Sequence, residues 1–164
     1  MTIARRLLPE FEHEMAGTRK VLERAPLERG AFKPHPKSKS LVDLASHVAE
    51  LASWGSFIFA TEVLDYAEFD YRTPRHATRQ ELLEVFDRNV AGSRAALEAA
   101  EDDAARAPWT MRNGEQVFFT LPRIAVVRSL VINHIIHHRA QLTVYLRLLD
   151  VPVPGLYGPS ADEA

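Results

Sequence analysis

Apolar residues recur at intervals of three and four along four stretches of the chain, which is the spacing that places them on one face of an α-helix. None of these stretches shows the strict alternation of a half-buried strand. Asn113-Gly114 is a turn signal and leaves a short hairpin open. The pattern predicts an all-α fold, a four-helix bundle. The predicted helices run over about Ile3–Arg24, Ser40–Tyr66, Thr78–Glu101 and Thr120–Leu149.

Two helix starts carry a capping signature. Ser40 and Thr78 are each followed three residues later by an acid, Asp43 and Glu81. Pro9 lies in the first turns of the first helix and is compatible with a later start. The tail VPVPGLYGPSADEA cannot continue the last helix, because its prolines and glycines break the pattern. We therefore expect one bundle domain over residues 1–150 and a C-terminal tail over 151–164 that packs on or near it.

Composition removes several classes of function. The net charge is −2 and the basic residues form no run, which argues against a nucleic-acid partner. Apolar stretches are interrupted by charge before they reach membrane-spanning length, which argues against a membrane partner. No signal-peptide pattern begins the chain, so we expect a cytoplasmic protein. The chain has no cysteine, so any metal must be held by nitrogen and oxygen atoms.

The segment INHIIHHRAQL places histidines inside the apolar stripe of the fourth helix. His134 and His138 are four residues apart, so their side chains share one face and can converge on one ion. His47 lies between Leu44 and Leu51 on the stripe of the second helix and is the natural third ligand. Three protein ligands leave a coordination position open, as in catalytic rather than structural sites.

A purely structural interpretation is also open, since a histidine on an apolar stripe is more often a core residue whose ring nitrogens are hydrogen-bonded inside the protein. His137 lies off the centre of the pair, which favours a supporting, interface or surface role. His13, His35 and His76 are expected at the surface. Three polar residues near the proposed ligands could fix the tautomer of an imidazole or serve elsewhere. They are Asp43, Glu50 and Gln141.

Three segments, LVDLASHVAELASW, NHIIHHRAQLTVYLRLL and VPVPGLYGPSADE, resemble the DinB-like family of bacterial four-helix bundle proteins. Ala140 stands where the family motif usually has glycine. The resemblance implies a homodimer in which His47, His134 and His138 hold a divalent metal ion: zinc, nickel, iron or manganese. It also implies thiol-dependent chemistry, because characterised relatives include enzymes that transfer bacillithiol or a similar low-molecular-weight thiol.

The leading hypothesis is therefore a divalent-metal-dependent enzyme of the thiol S-transferase kind, which presents a thiolate to an electrophilic small molecule. Hydrolysis is the variant of that hypothesis. The alternatives are a non-catalytic metal-binding or stress-response helical dimer module, and a dimerisation module with core histidines. No catalytic acid or base is assigned, although Tyr157 is a candidate to approach the site. Three imidazoles suit several metals, so the sequence leaves the ion open.

Overall fold

The first predicted helix is present over its full length. The computed structural model describes residues 1–69 and 72–163. Helix α1 spans Ile3–Arg24, and the Thr2 side chain accepts a hydrogen bond from the Arg5 amide at its start. Pro9 is inside the helix, so the later start that it would allow is not used. A short 3₁₀ turn at Leu27–Arg29 follows.

The second predicted helix, Ser40–Tyr66, is divided in two and ends six residues early, at Ala60. Helix α2 spans Leu41–Leu51 and α3 spans Trp54–Ala60. The Ser40 side chain caps α2 by accepting from the Asp43 amide at 3.3 Å. At the break, side chains of the next long helix satisfy backbone carbonyls that α2 no longer pairs: Asn89 donates to Ala49 and Ser93 donates to Ala52. The break is therefore stabilised from outside the segment, which is why periodicity did not reveal it.

The third predicted helix is confirmed and the fourth begins three residues late. Helix α4 spans Arg79–Ala99, capped by Thr78, and the short α5 spans Asp102–Arg106. Helix α6 covers Arg123–Val126 and continues as a π-helix over Val127–Asn133, then as α7 over His134–Leu148. π-Helical turns often occur at functional sites. This one ends immediately before His134.

A small sheet corrects the all-α prediction. Strands β1 (Val63–Asp65), β2 (Pro108–Asn113) and β3 (Gln116–Pro122) lie in that order, with β1 parallel and β3 antiparallel to β2. The hairpin that Asn113-Gly114 allowed is present, and Gly114 takes the positive φ of 57° that such a turn favours. Strand β1 is too short to show a period, and most of β3 is exposed, so burial imposed no alternation on its sequence.

The core lies between the long helices. Helices α1 and α2 each pack against both α4 and α7, and the apolar stripes meet between them. From the predicted tail, Val151, Val153 and Leu156 pack against this core, while residue 164 lies outside the described residues. Among the described residues, no helix combines the length and apolar character needed to cross a membrane. For the site, the important result is that one face of α2 is held against one face of α7.

Candidate metal centre

Helices α2 and α7 bring the three predicted histidines together. His47 comes from the middle of α2, and His134 and His138 come from the first two turns of α7. One ring nitrogen from each lies within 4.8 Å of the others. The ring centroid of His47 is 5.3 Å from that of His134 and 4.8 Å from that of His138. All three side chains are half-buried, which leaves the cluster reachable from outside.

Gln141 fixes the orientation of one imidazole. Its Oε1 lies 2.8 Å from His138 Nδ1, and its Nε2 lies 3.1 Å from His137 Nε2. An amide oxygen only accepts hydrogen bonds, so Nδ1 of His138 must carry the proton. The Nε2 lone pair of His138 is then directed to the cluster. A hydrogen-bonded partner on the outer nitrogen is the usual support of a metal-ligating histidine.

The two histidines of α7 meet directly. His134 Nε2 lies 2.9 Å from His138 Nε2, a hydrogen-bond distance. The single proton of neutral His138 is used in the hydrogen bond with Gln141, and that of neutral His134 in the backbone hydrogen bond with Leu130. The two Nε2 lone pairs therefore face each other, an arrangement that a metal ion ligated by both nitrogens would stabilise.

His47 supplies the least satisfied group of the cluster. Its Nδ1 is buried and has no hydrogen-bond partner among the described residues. Burial, with smaller contributions from the charges of His138, Lys39 and His134, lowers the pKa of His47 to about 3. An unpartnered polar atom in such a place normally costs stability. Nδ1 of His47 is therefore available to bind a ligand from outside the chain.

The other two rings are also held in the neutral form. Burial lowers the pKa of His134, and the charge of His138 adds to this, whereas a backbone hydrogen bond with Leu130 opposes it. Burial lowers the pKa of His138, and Gln141 opposes it. Neutral imidazole is the form that ligates metals. The donor set thus fits a divalent transition-metal ion, because it offers three imidazole nitrogens that are neutral near pH 7.

Cavities flank the cluster on both sides. One of about 500 Å³ reaches His138 and Gln141, and one of about 380 Å³ reaches His47 and Asp43. Lys39 lines both. A small molecule could therefore approach the cluster without any rearrangement of the helices.

The other polar residues suggested as supports bind elsewhere. Asp43 accepts from Ser40 and forms a bidentate ion pair with Arg75, at 2.5 and 3.0 Å. Glu50 Oε1 accepts a hydrogen bond from His76 Nε2 at 2.8 Å. Neither carboxylate contacts His47, so of the three suggested supports the hydrogen-bond geometry selects Gln141.

The surface prediction for His76 is wrong. His76 is only 5% exposed, and its Nε2 and Nδ1 lie 2.8 Å and 3.3 Å from the carboxylates of Glu50 and Glu81. Its backbone amide also donates to Ser46 on α2. The segment before α4 packs on α2, and this long-range contact cannot be predicted from a local sequence pattern. His13 and His35 are exposed, as predicted.

The structure also reveals a buried ionic network that the sequence interpretation missed. Arg139 on α7 is 2% exposed and pairs with Glu14 of α1 at 2.7 Å. The Tyr157 hydroxyl lies 2.5 Å from Arg139 Nη2 and 2.8 Å from Glu14 Oε2. Tyr157 is therefore committed to this network rather than to the histidine cluster. The available signal was that Glu14, between Phe11 and Met15, falls on the apolar stripe of α1.

These observations define a helical protein with a half-buried three-histidine cluster between two helices. A sequence model of the DinB family matches residues 1–164, and the chain belongs to that family. No protein of curated function matches the chain.

Two solved structures share the fold. A DinB-like protein of Bacillus cereus ATCC 10987 has 21% sequence identity and a TM-score of 0.67, over 92% of this chain and 95% of that one. The DinB-like protein YjoA of Bacillus subtilis has 15% identity and a TM-score of 0.67, over 90% and 95%. At these identities the likeness concerns the fold alone.

Proposed function

We propose that this DinB-family protein is a divalent-metal-dependent enzyme in which His47, His134 and His138 hold the ion. We further propose that it joins a low-molecular-weight thiol to an electrophilic small molecule. The observation that carries the proposal is the convergence of three neutral imidazoles with ring nitrogens within 4.8 Å of one another. One buried nitrogen of His47 also lacks a hydrogen-bond partner among residues 1–69 and 72–163. A core histidine without a ligand would be expected to have its nitrogens paired inside the protein.

When bound, a divalent ion supplies Lewis-acid chemistry that lowers the pKa of a thiol or water molecule beside it. The chain itself does three things. Burial keeps the imidazoles unprotonated, so they can act as ligands near pH 7. Gln141 holds the tautomer of His138. The flanking cavities give a thiol and an electrophile separate routes to the cluster.

The overall reaction is a substitution at the electrophile. The thiol sulfur forms a bond to the electrophilic carbon, the leaving group departs with its electron pair, and the thiol proton goes to solvent. Hydrolysis of an electrophile is the same site chemistry with water in place of the thiol. The homodimer that the family resemblance implies stays a prediction beside this proposal.

Metal content tests the first half. Tag-free wild-type protein, loaded with Zn²⁺ and passed through a desalting column, should retain about one ion per chain when measured by plasma mass spectrometry. His138→Ala should lose this ion while its helical circular dichroism is kept, because one of three ligands is gone. His13→Ala, an exposed histidine on α1, is the matched control and should retain it. Failure of the wild type both to retain zinc and to gain thermal stability from it would overturn the metal site.

Turnover tests the second half. The zinc-loaded protein should accelerate the reaction of cysteine with 1-chloro-2,4-dinitrobenzene, which releases chloride, whereas His138→Ala should not exceed the protein-free rate. Zinc retention without acceleration of this reaction or of ester hydrolysis would identify a metal-binding module, the non-catalytic alternative.

A further inference from the structure

The larger of the two cavities beside the cluster is lined by two lysines. It lies between the loop that precedes α2 and the outer face of α7, and its volume is about 500 Å³. His138 and Gln141 form the wall next to the histidine cluster. We call it the lysine cavity, and the remaining lining residues are Pro34, Lys37, Ser38, Lys39, Leu44, Val144 and Tyr145.

The lysine cavity carries positive charge and no negative charge. Two lysines, Lys37 and Lys39, line it, and none of its lining residues is a carboxylate. The cavity on the other side of the cluster differs, because it contains Asp43, which is ion-paired with Arg75. An anionic molecule near the cluster is therefore favoured on the lysine side by simple electrostatics.

Lys39 is held in place by its backbone and left available at its ammonium. The Tyr145 hydroxyl donates to the Lys39 carbonyl at 2.9 Å, which ties the loop to α7 two turns beyond His138. The next residue, Ser40, caps α2. Within residues 1–69 and 72–163, the Lys39 side chain makes no ion pair with a carboxylate. Its charge helps to lower the pKa of Asp43, but that carboxylate is already ion-paired with Arg75.

The charge of Lys39 acts on both sides of the cluster. Lys39 lines the cavity that reaches His138 and also the cavity that reaches His47. Coulomb interactions between partly exposed groups extend about 10 Å in salt, so its charge can act on an anion in either cavity. A ligand that reached the cluster from the lysine cavity would pass the same charge.

We propose that the lysine cavity binds a carboxylate-bearing thiol and that Lys39 selects this anionic substrate over neutral thiols. The apolar residues Leu44 and Val144 suit a short hydrocarbon chain between the carboxylate and the sulfur. The thiol end would lie beside His138, and in this respect the inference rests on the proposed function. Lys39 acts on binding and orientation and touches no reacting atom.

Cobalt-substituted protein tests the selection directly, since a thiolate that binds Co²⁺ gives a charge-transfer absorption band. Wild type, Lys39→Gln and Lys33→Gln are each titrated with mercaptosuccinate and with neutral 2-mercaptoethanol. Lys33 is the matched control, because it is exposed in the same loop and does not line the cavity.

We expect Lys39→Gln to weaken mercaptosuccinate binding about tenfold and to leave 2-mercaptoethanol binding within about twofold of wild type. Lys33→Gln should change neither affinity. Equal losses for the two thiols, or no loss for mercaptosuccinate, would overturn the proposal, because charge recognition would then be absent.

A metal-free arm separates this inference from the metal site. Succinate, which has no thiol, is titrated into metal-free ¹⁵N-labelled protein at low and high salt. Saturable shifts of the Lys39 and Gln141 amides in wild type, reduced by salt and absent in Lys39→Gln, would support the anion site even if cobalt never bound. Absence of such shifts in the wild type would refute the anion site, whatever the metal does.

Discussion

His138 and Arg139 are neighbours on α7, yet they face different helices and belong to polar clusters of different character. His138 faces α2, where it meets His47 and His134. Arg139 faces α1, where it pairs with Glu14. One cluster is half-buried and beside two cavities, while the other is closed over by the tail.

The two clusters differ most in how their polar atoms are satisfied. In the Arg139 network the guanidinium donates to the Glu14 carboxylate, the Glu14 carbonyl, Thr18 and Tyr157, and the Tyr157 hydroxyl donates to Glu14. In the histidine cluster, His47 Nδ1 has no hydrogen-bond partner in the part of the chain that the structure describes. Buried polar groups that hydrogen-bond inside the chain stabilise the fold, whereas buried groups without such a partner remain available to a ligand.

His76 shows that burial alone does not make a histidine a ligand. It is more buried than His47, but both of its ring nitrogens lie near carboxylates, Glu50 and Glu81. The useful distinction between structural and functional histidines in this protein is the partner of each nitrogen. The following predictions test that distinction, beginning with the largest effect.

Arg139→Met should lower the free energy of unfolding by about 3–5 kcal/mol, because it leaves the Glu14 carboxylate buried without its cation. Urea denaturation of the metal-free protein measures this. Arg147→Met is the control on the same helix: its pair with Asp162 is exposed, so its loss should cost at most about 1 kcal/mol. Metal content per folded chain should stay unchanged in both. Similar losses for the two variants would show that the buried network has no special weight.

His47→Leu should have opposite effects on metal and on stability. We expect metal affinity to fall about tenfold or more, since substitutions even of the groups supporting a ligand cost that much. The metal-free protein should be as stable as wild type or up to about 1 kcal/mol more stable, because an unpaired buried nitrogen is removed.

His76→Leu is the counterpart of that variant. It should destabilise the metal-free protein by about 1–3 kcal/mol, since Glu50 loses its partner, and should leave metal affinity near the wild-type value. Competition with a fluorescent zinc chelator and urea denaturation supply the two readouts. A clear loss of stability in His47→Leu would mean that His47 is a satisfied core residue after all.

Tyr157→Phe should lower the free energy of unfolding by about 1 kcal/mol, the usual net contribution of a hydrogen bond. The variant removes the hydroxyl that bridges Glu14 and Arg139 and keeps the ring, which lies over the Arg139 guanidinium at 5.4 Å. Thermal or urea denaturation detects the change. Loss of metal instead of stability would place Tyr157 in the histidine cluster, contrary to the structure.

The stability of the metal-free protein should also depend on pH through His47. Burial lowers the pKa of His47 from its ordinary 6.5 to about 3, so the unfolded chain takes up a proton first as the pH falls. Stability due to this group is fully present above pH 6.5 and is lost as the pH falls toward 3. The fold also lowers the pKa values of Asp43 and Asp65 from 3.8. The stability that these two groups contribute is therefore lost as the pH falls below about 3.8, outside the range in which His47 begins to titrate.

Urea denaturation of the metal-free protein from pH 7 to pH 4 isolates the histidine window. His47→Leu should show a shallower decline there than wild type. Parallel profiles would mean that His47 titrates normally and is not desolvated by the fold.

Much of the framework could be predicted from the sequence because it depends on local order. The caps at Ser40 and Thr78, the turn at Gly114 and the i, i+4 pair on α7 are fixed by residues a few positions apart. Features set by distant contacts could not. The break after Leu51 depends on side chains of α4, and the burial of His76 depends on how the segment before α4 lies on α2.

The sequence by itself determined which residues can act as metal ligands: with no cysteine and two inward histidines one turn apart, nitrogen donors on an apolar stripe were the available chemistry. Tertiary structure decided which of the histidines meet, which of their nitrogens lack partners, and which charge stands beside them. The reason is physical. Helical spacing fixes direction within one helix, but distance and satisfaction between helices arise only when the apolar faces of α2 and α7 pack together.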